Sequence, residues 1–324
     1  MLNAGKCKHF NIKAACVLTA VLVFAAAHQA SGEEYVRTGY DSLKVLFDEA
    51  YGSGDYDTAL EIANEITVIT WPQHVNTLYN IACIYALKGE KVKAYDWLEF
   101  AVNAGYWDAG SIMNDDDLAL LKGEPRFREI VRSAWSKGYI MMLERDERDE
   151  FQKPDMVMEA LELKPGERVA DVGAGSGYFT IPVARAVGAD GIVWAIDISQ
   201  EMLDYIEKRL EIEGLDNVEL VKVERDDPQL PPGGVDLILM VDVFHYIKER
   251  TEYAEKLREG LAPGGRIVVI DYIPKPWDER PWGPLPQQQV PKETLNEEMK
   301  QAGLRIIKEY HFLPEQYFLV YGAE

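Results

Sequence analysis

Cysteine is nearly missing from this chain. Only Cys7, Cys16 and Cys83 occur, and the first two fall in an N-terminal stretch that reads as a targeting segment. One cysteine then remains, so no intrachain disulfide is possible. Cys83 lies on an apolar helix face and reads as a core residue. No cysteine and histidine group has metal-ligand spacing, so no metal site is expected. Positive charge is also scarce, with 34 Lys and Arg against 55 Asp and Glu and a net charge of −21. That balance argues against nucleic acid as a partner, because phosphate backbones are held by clustered cations. Long apolar runs are lacking too. The uncharged run Ala14 to Ala27 is shorter than the roughly 18 residues a spanning helix needs.

What is present is enough for a packed interior. Hydrophobic residues make up 47% of the 324 positions, a length and composition suited to about two folded domains. Residues 1–30 have the layout of a secretory signal peptide. Lys6, Lys8 and Lys13 form a positive start, the apolar run follows, and Ala25-Ala26-Ala27 and Ala30 offer small-residue cleavage sites. The expectation is export to the periplasm or the extracellular space, with no stable membrane span after cleavage. An uncleaved membrane anchor and a cytoplasmic protein are the alternatives.

Residues 35–136 carry a repeat. Gly54-Asp55-Tyr56-Asp57-Thr58-Ala59 aligns with Gly89-Glu90-Lys91-Val92-Lys93-Ala94 at an offset of 89 − 54 = 35. This is close to the 34-residue tetratricopeptide period, and the segment resembles that all-α repeat. One unit is marked by Leu43, Phe47, Ala50, Ala59, Ala63 and Ile66. The next is marked by Leu78, Ile81, Ala82, Tyr85, Ala94, Leu98 and Ala101. A degenerate third stretch, Asp115 to Ile130, reads as a closing cap. Such a stack offers a concave face to a peptide or protein partner, or serves only as a helical appendage.

Residues 137–163 read as a linker of amphipathic helices. Charges of both signs alternate from Glu144 to Glu150, and Pro154 starts a helix. Arg145 or Arg148 is placed to meet a ligand carboxylate, or the segment is a salt-bridged connection.

From residue 164 to 324 strand and helix patterns alternate, which implies a parallel sheet. Arg168 to Val172 is a buried strand, and Gly173, Gly175 and Gly177 follow it at alternate positions. A helical period takes over from Tyr178. A turn of this kind lets backbone approach a ligand at the carboxyl end of a sheet. The dinucleotide pattern G-x-G-x-x-G needs glycine at 178, where this chain has Tyr178. Asp171 on the strand suits a ligand with a positive end, not a pyrophosphate. Asp197 ends a second strand, where one carboxylate can accept from both hydroxyls of a ribose; the plainer alternative is a helix cap. Asp242-Val243-Phe244-His245 follows a fourth strand, Val235 to Val241, at the crevice where the strand order reverses.

Asp171-Val172-Gly173-Ala174-Gly175-Ser176-Gly177 resembles the first motif of class I S-adenosylmethionine-dependent methyltransferases. Leu261-Ala262-Pro263-Gly264-Gly265 before a fifth strand, Arg266 to Tyr272, is also similar to that family. So is the pairing of Leu143-Glu144-Arg145-x-x-Arg148, Asp242-Val243-x-His245 and Leu313-Pro314-x-Gln316-x-Phe318. The resemblance covers about residues 140–324. It implies an α/β fold with a seven-stranded Rossmann-like sheet, mostly parallel with an antiparallel last strand, behind the all-α repeat domain. It implies S-adenosylmethionine as cofactor, with Gly173, Ala174, Gly175 and Gly177 around its methionine part. Asp197 would grip the ribose, Ile198 would lie beside the adenine, and Asp226 or Asp227 would accept from the adenine amino group. Where the family has glycine before that acid, this chain has Arg225. Asp171 and Asp242 complete the cofactor-side set. The implied reaction is methyl transfer by direct displacement to a small-molecule or protein acceptor, with His245 as general base or as a packed histidine. The long loop Pro274 to Val290, with Trp277 and Trp282, walls the acceptor pocket or is a surface insertion. A domain that binds the cofactor without transferring from it is the alternative, and a dehydrogenase the third. Arsenite as acceptor does not suit a chain with one remaining cysteine.

Overall fold

The structure is a computed structural model that describes residues 42–50, 53, 55, 58, 62, 74–76, 78–280 and 282–323. The signal-like segment 1–30 lies outside the described residues, as do Ala59, Ala63 and Ile66 of the first repeat unit. The chain divides into two compact units at Gly138–Tyr139, within the helix Pro125–Leu143. The sequence places its domain edge two residues earlier. No described helix is long and apolar enough to cross a membrane.

In the first unit residues 78–87 are helical and Gly89 ends that helix at φ +77. A left-handed residue there turns the chain so that Glu90 N–H reaches Tyr85 O at 2.9 Å, closing the helix end. The helix Lys91–Ala104 follows. Ala82, Ala94, Leu98 and Ala101 are wholly buried, together with Ile112, Leu118 and Leu121 of the third stretch. Cys83 is buried as expected for a core residue. Its Sγ lies 3.7 Å from Asp115 Oδ2, and burial with that carboxylate pushes the thiol up to about 11.

The second unit is built on one seven-stranded sheet. The strands are β1 (Arg168–Val172), β2 (Ile192–Asp197), β3 (Val218–Lys222), β4 (Val235–Val241), β5 (Leu261–Tyr272), β6 (Leu304–Tyr310) and β7 (Gln316–Ala323). Their order is β3-β2-β1-β4-β5-β7-β6. The first five are parallel, and β7 runs antiparallel to both β5 and β6. Order reverses between β1 and β4, the place where such sheets leave a crevice. β4 explains why a central strand reads as an unbroken apolar run. Leu237, Leu239 and Val241 pack on one face and Ile238 and Met240 on the other, all buried. Each such side chain contributes roughly 1.5–3 kcal/mol by burial.

The antiparallel strand has a consequence for function. Tyr272 at the carboxyl end of β5 pairs with Gln316, the first residue of β7. The start of β7 therefore lies at the same edge of the sheet as the ends of β1, β2, β4 and β5. The loop from Pro274 to Val290 leaves from this edge before the helix Lys292–Gln301.

Candidate functional site

The glycine loop is shaped by close approach. Gly173 has φ +77, and a Cβ there would fall 2.2 Å from Val243 Cγ2. So the exit of β4 packs against the turn after β1, and only glycine fits between. Gly175 and Gly177 are also left-handed, at φ +55 and +81. The loop's amides are committed inside the protein. Gly173 N and Ala174 N donate to Ile196 O at 2.8 and 3.0 Å, Gly175 N donates to Asp197 Oδ2 at 2.9 Å, and Gly177 N donates to Ala174 O at 2.9 Å. Within Gly173 to Gly177 only the Ser176 N–H is left to meet a phosphate. The helix that follows, Thr180–Val187, begins beside an acid: Thr180 Oγ1 donates to Asp171 Oδ2 at 2.6 Å. A carboxylate at that end repels an anion. Both features disfavour the pyrophosphate of a dinucleotide.

Three acids of the site sit at strand ends and all are pushed up. Asp171 is 3% exposed, and burial raises its pKa to about 6, with Asp197's charge adding and the Thr180 hydroxyl opposing. Asp242 is raised to about 6, chiefly by burial and then by Asp271's charge, against the field of Arg148. Asp197 is raised by burial, opposed by the backbone amides of Ser199 and Gly175. Asp197 is not the cap of the next helix. Ser199 caps Gln200–Glu213 by accepting from Met202 N, and Asp197 Oδ1 accepts from Ser199 N at 2.8 Å. Each Asp197 oxygen keeps a second lone pair. Ile198 beside it is 43% exposed, an apolar side chain left open next to the loop.

Asp242 takes a left-handed backbone, φ +59, as the chain leaves β4. Its Oδ1 accepts from Gln316 Nε2, and Gln316 Oε1 accepts from Gln152 Nε2 at 3.0 Å. Three distant segments thus meet in one relay, buried at Gln152 and Gln316 and half-buried at Asp242. His245, 6% exposed, is fixed twice by Asp271. Its Nδ1 lies 2.7 Å from Oδ1 and its backbone N–H donates to Oδ2 at 3.0 Å. A carboxylate only accepts, so the proton is assigned to Nδ1 and the lone pair to Nε2. That Nε2 is buried with no hydrogen-bond partner.

The segment before the domain covers the loop. Leu143 Cδ1 lies 3.1 Å from where a Cβ on Gly175 would be. Arg209 joins Glu144 at 2.9 Å to Ser176 O at 3.0 Å. The Arg148 guanidinium lies 3.9 Å from the centre of the Tyr178 ring, whose hydroxyl meets Asp149. Asp226 and Asp227 stand one strand further out, exposed on the turn after β3. Asp227 Oδ1 accepts from Gln229 N at 2.9 Å and Asp226 O takes Lys256 Nζ at 2.6 Å. The Asp227 carboxylate thus serves its own turn, whereas that of Asp226 makes no hydrogen bond among the described residues.

Sequence reasoning missed Thr180, Gln152, Asp271 and Arg280, and quoted Gln316 only as part of a motif. An acid inside the apolar strand β5 was the available signal for Asp271. Of the loop Pro274 to Val290, Trp282 packs on Phe151 and Tyr272, with ring centres 4.7 and 5.8 Å apart, so this part of the loop is not a mere surface insertion.

Comparison with known proteins agrees with this geometry. Residues 170–267 match the family described as methyltransferase domain. The chain is 29% identical over 110 residues to the ubiquinone/menaquinone biosynthesis C-methyltransferase of Vibrio vulnificus, covering 34% of this chain and 42% of that protein. It is 31% identical over 108 residues to the aklanonic acid methyltransferase of a Streptomyces species, covering 33% and 49%. The chain thus spans less than half the length of these two curated relatives. A crystal structure of a SAM-dependent methyltransferase from Aquifex aeolicus superposes with a TM-score of 0.52 at 29% identity, over 56% of this chain and 95% of that one. The second unit is therefore similar in sequence and fold to S-adenosylmethionine-dependent methyltransferases, with residues 170–267 matching a methyltransferase domain.

Proposed function

We propose that the chain transfers a methyl group from S-adenosylmethionine to a small-molecule acceptor entering between the ends of β4 and β5. The observation that carries this reading is the set of acids at the strand ends, buried Asp171 and Asp197 and half-buried Asp242, all with raised pKa values. Buried carboxylates without a full counter-charge are costly. A ligand bearing a sulfonium and an ammonium group offsets that cost, and a dinucleotide phosphate would add to it. The residues present fit such a cofactor. The glycine loop and Asp171 face its charged part, Asp197 has lone pairs for a ribose diol, and Ile198 offers an open apolar side chain for a flat base. Asp226, exposed beyond β3, is the acid available to an exocyclic amine.

When bound, the cofactor supplies an electrophilic methyl carbon on a sulfur that leaves as a neutral thioether. The protein's own contribution is placement and proton handling. His245, held by Asp271, presents a lone pair at Nε2 that takes the proton an acceptor hydroxyl or amine gives up. Leu143 and Arg148 close over the loop and keep water from it. The curated relatives include a C-methyltransferase and an aklanonic acid methyltransferase, so acceptor chemistry differs among similar proteins. The repeat segment is proposed to hold a peptide or protein partner, and residues 1–30 to direct export.

Calorimetry with purified protein tests the cofactor. S-adenosylmethionine and S-adenosylhomocysteine are expected to bind, and NAD at least tenfold more weakly. Equal binding of NAD overturns the reading. Labelled-methyl transfer into pooled metabolites separates an enzyme from a silent binder: cofactor binding with no labelled product across the pool favours the scaffold reading.

A further inference from the structure

Among the described residues, the buried side-chain atoms with no hydrogen-bond partner are Arg145 Nε, Gln152 Oε1, Ser176 Oγ, His245 Nε2, Arg280 Nε and Arg280 Nη2. Leaving such an atom unpaired is costly, and native interiors carry few. Ser176 belongs to the glycine loop. Those of Arg145, Arg280 and His245 lie near one pair of rings, and Gln152 is hydrogen-bonded to Gln316, the strand partner of Tyr272. Arg280 lies 4.7 Å from the Tyr272 ring and 5.7 Å from the Trp282 ring, and Arg145 lies 6.0 Å from Trp282. His245 is 6.1 Å from Tyr272. Phe151, next to Gln152 in sequence, is 4.7 Å from Trp282.

The unpaired atoms have a polarity. Arginine nitrogens only donate, whereas Gln152 Oε1 and the His245 Nε2 lone pair accept. Arg280 is 3% exposed. Its Nη1 is used by Ile273 O at 3.0 Å and Glu315 O at 3.4 Å. That leaves Nε and Nη2, the two parallel donors on one side of the guanidinium, which match the two oxygens of a carboxylate. The neighbouring acids do not fill this fork. Glu315 lies 3.7 Å from Nη1 and is shared with Lys275 at 2.7 Å. Asp242 is held by Gln316, and Asp271 by His245. Two guanidinium groups within about 6 Å of one tryptophan repel each other unless an anion joins them. The rings meet their charge but offer no lone pair to the N–H groups.

We propose that the methyl acceptor is a flat aromatic molecule bearing a carboxylate. The carboxylate sits in the Nε and Nη2 fork of Arg280 with Arg145 beside it. The ring lies among Phe151, Tyr272 and Trp282, and its hydrogen-bond donor faces Gln152 Oε1 and His245 Nε2. This rests on the methyltransferase reading for its place in the reaction, but the anion fork stands on its own geometry.

The test is calorimetric titration of 4-hydroxybenzoate and of 4-hydroxybenzamide, with and without saturating S-adenosylhomocysteine. The acid is expected to bind at least tenfold more tightly than its amide. Arg280→Gln should abolish that preference while S-adenosylhomocysteine affinity is kept, which also reports that the variant is folded. Arg145→Gln should reduce the preference severalfold and serves if the first variant fails to fold. Equal affinity for acid and amide, binding of neither, or a preference that survives Arg280→Gln overturns the proposal. Inorganic phosphate competing more strongly than 4-hydroxybenzoate overturns the carboxylate assignment. Failure of S-adenosylhomocysteine to bind counts against the cofactor reading alone, because the acid–amide comparison is also made without it.

Discussion

Asp171→Asn separates the cost of the first carboxylate from its use. Asp171 is buried, and its pKa rises from 3.8 to about 6 in the fold. For a raised acid, the stabilising contribution is fully present below 3.8 and lost as pH rises through about 6. The difference of 6 − 3.8 = 2.2 units, at about 1.36 kcal/mol each, amounts to about 3 kcal/mol at pH 8. Asparagine keeps an oxygen to accept from Thr180 Oγ1 and carries no charge. Urea unfolding should therefore find the variant more stable by on the order of 2–3 kcal/mol at pH 8, and by about half that at pH 5. On the proposed function the same variant should bind S-adenosylmethionine more weakly, because the carboxylate that is costly alone is proposed to meet the cofactor's positive end. A stability difference that is the same at both pH values, or a variant less stable at pH 8, would refute the idea that this carboxylate is held ionised against its environment.

Asp197→Ala should weaken S-adenosylmethionine binding roughly tenfold, the loss of one charge-assisted hydrogen bond of about 1.5 kcal/mol; unchanged affinity by calorimetry removes the ribose assignment. His245→Gln should lower kcat with cofactor affinity kept, and Asp271→Asn should do the same through the wrong tautomer; equal turnover rules out the base role. N-terminal sequencing of protein from fractionated native cells should find a start between Ala26 and Glu33 outside the cytoplasmic membrane. Intact Met1 to Ala30 on soluble cytoplasmic protein would overturn the export expectation.

Much of the sheet is legible in the sequence because its central strands are buried on both faces. β1 and β4 have the limits that their apolar runs mark. β5 begins earlier than Arg266. Leu261-Ala262-Pro263-Gly264-Gly265 reads as a turn, yet Leu261 already pairs with Val235 across an irregular register, a contact that depends on a neighbouring strand and not on local pattern. The helix after the glycine loop starts at Thr180 rather than Tyr178, where the Tyr178 side chain is taken up by Arg148 and Asp149. The site divides along the same line. Asp171, the glycines and Asp197 are legible because strand, turn and strand end lie within one short unit. Gln152 and Gln316 are 164 residues apart, and Asp271 meets His245 from the next strand of the sheet. Only the strand order brings these side chains together.

That order also explains why three short, separated motifs belong to one site. Leu143 to Arg148 lies before the domain, Asp242 to His245 follows β4, and Leu313 to Phe318 opens β7. β7 is the antiparallel strand, so its first residues reach the edge where the parallel strands end. Gln316 spans the gap, donating to Asp242 and accepting from Gln152. Asp242 stands there in a left-handed conformation, φ +59, at a cost of roughly 1 kcal/mol or more for a residue with a side chain. Its carboxyl is pushed up by burial, and Gln152 keeps an unpaired oxygen nearby. None of these features improves a core. An apolar side chain at each position would bury more favourably. Strain, a raised carboxyl and an unpaired acceptor collected on one relay fit a crevice shaped for a polar ligand held between β4 and β7. The antiparallel turn of the last strand is what gives that crevice its far wall.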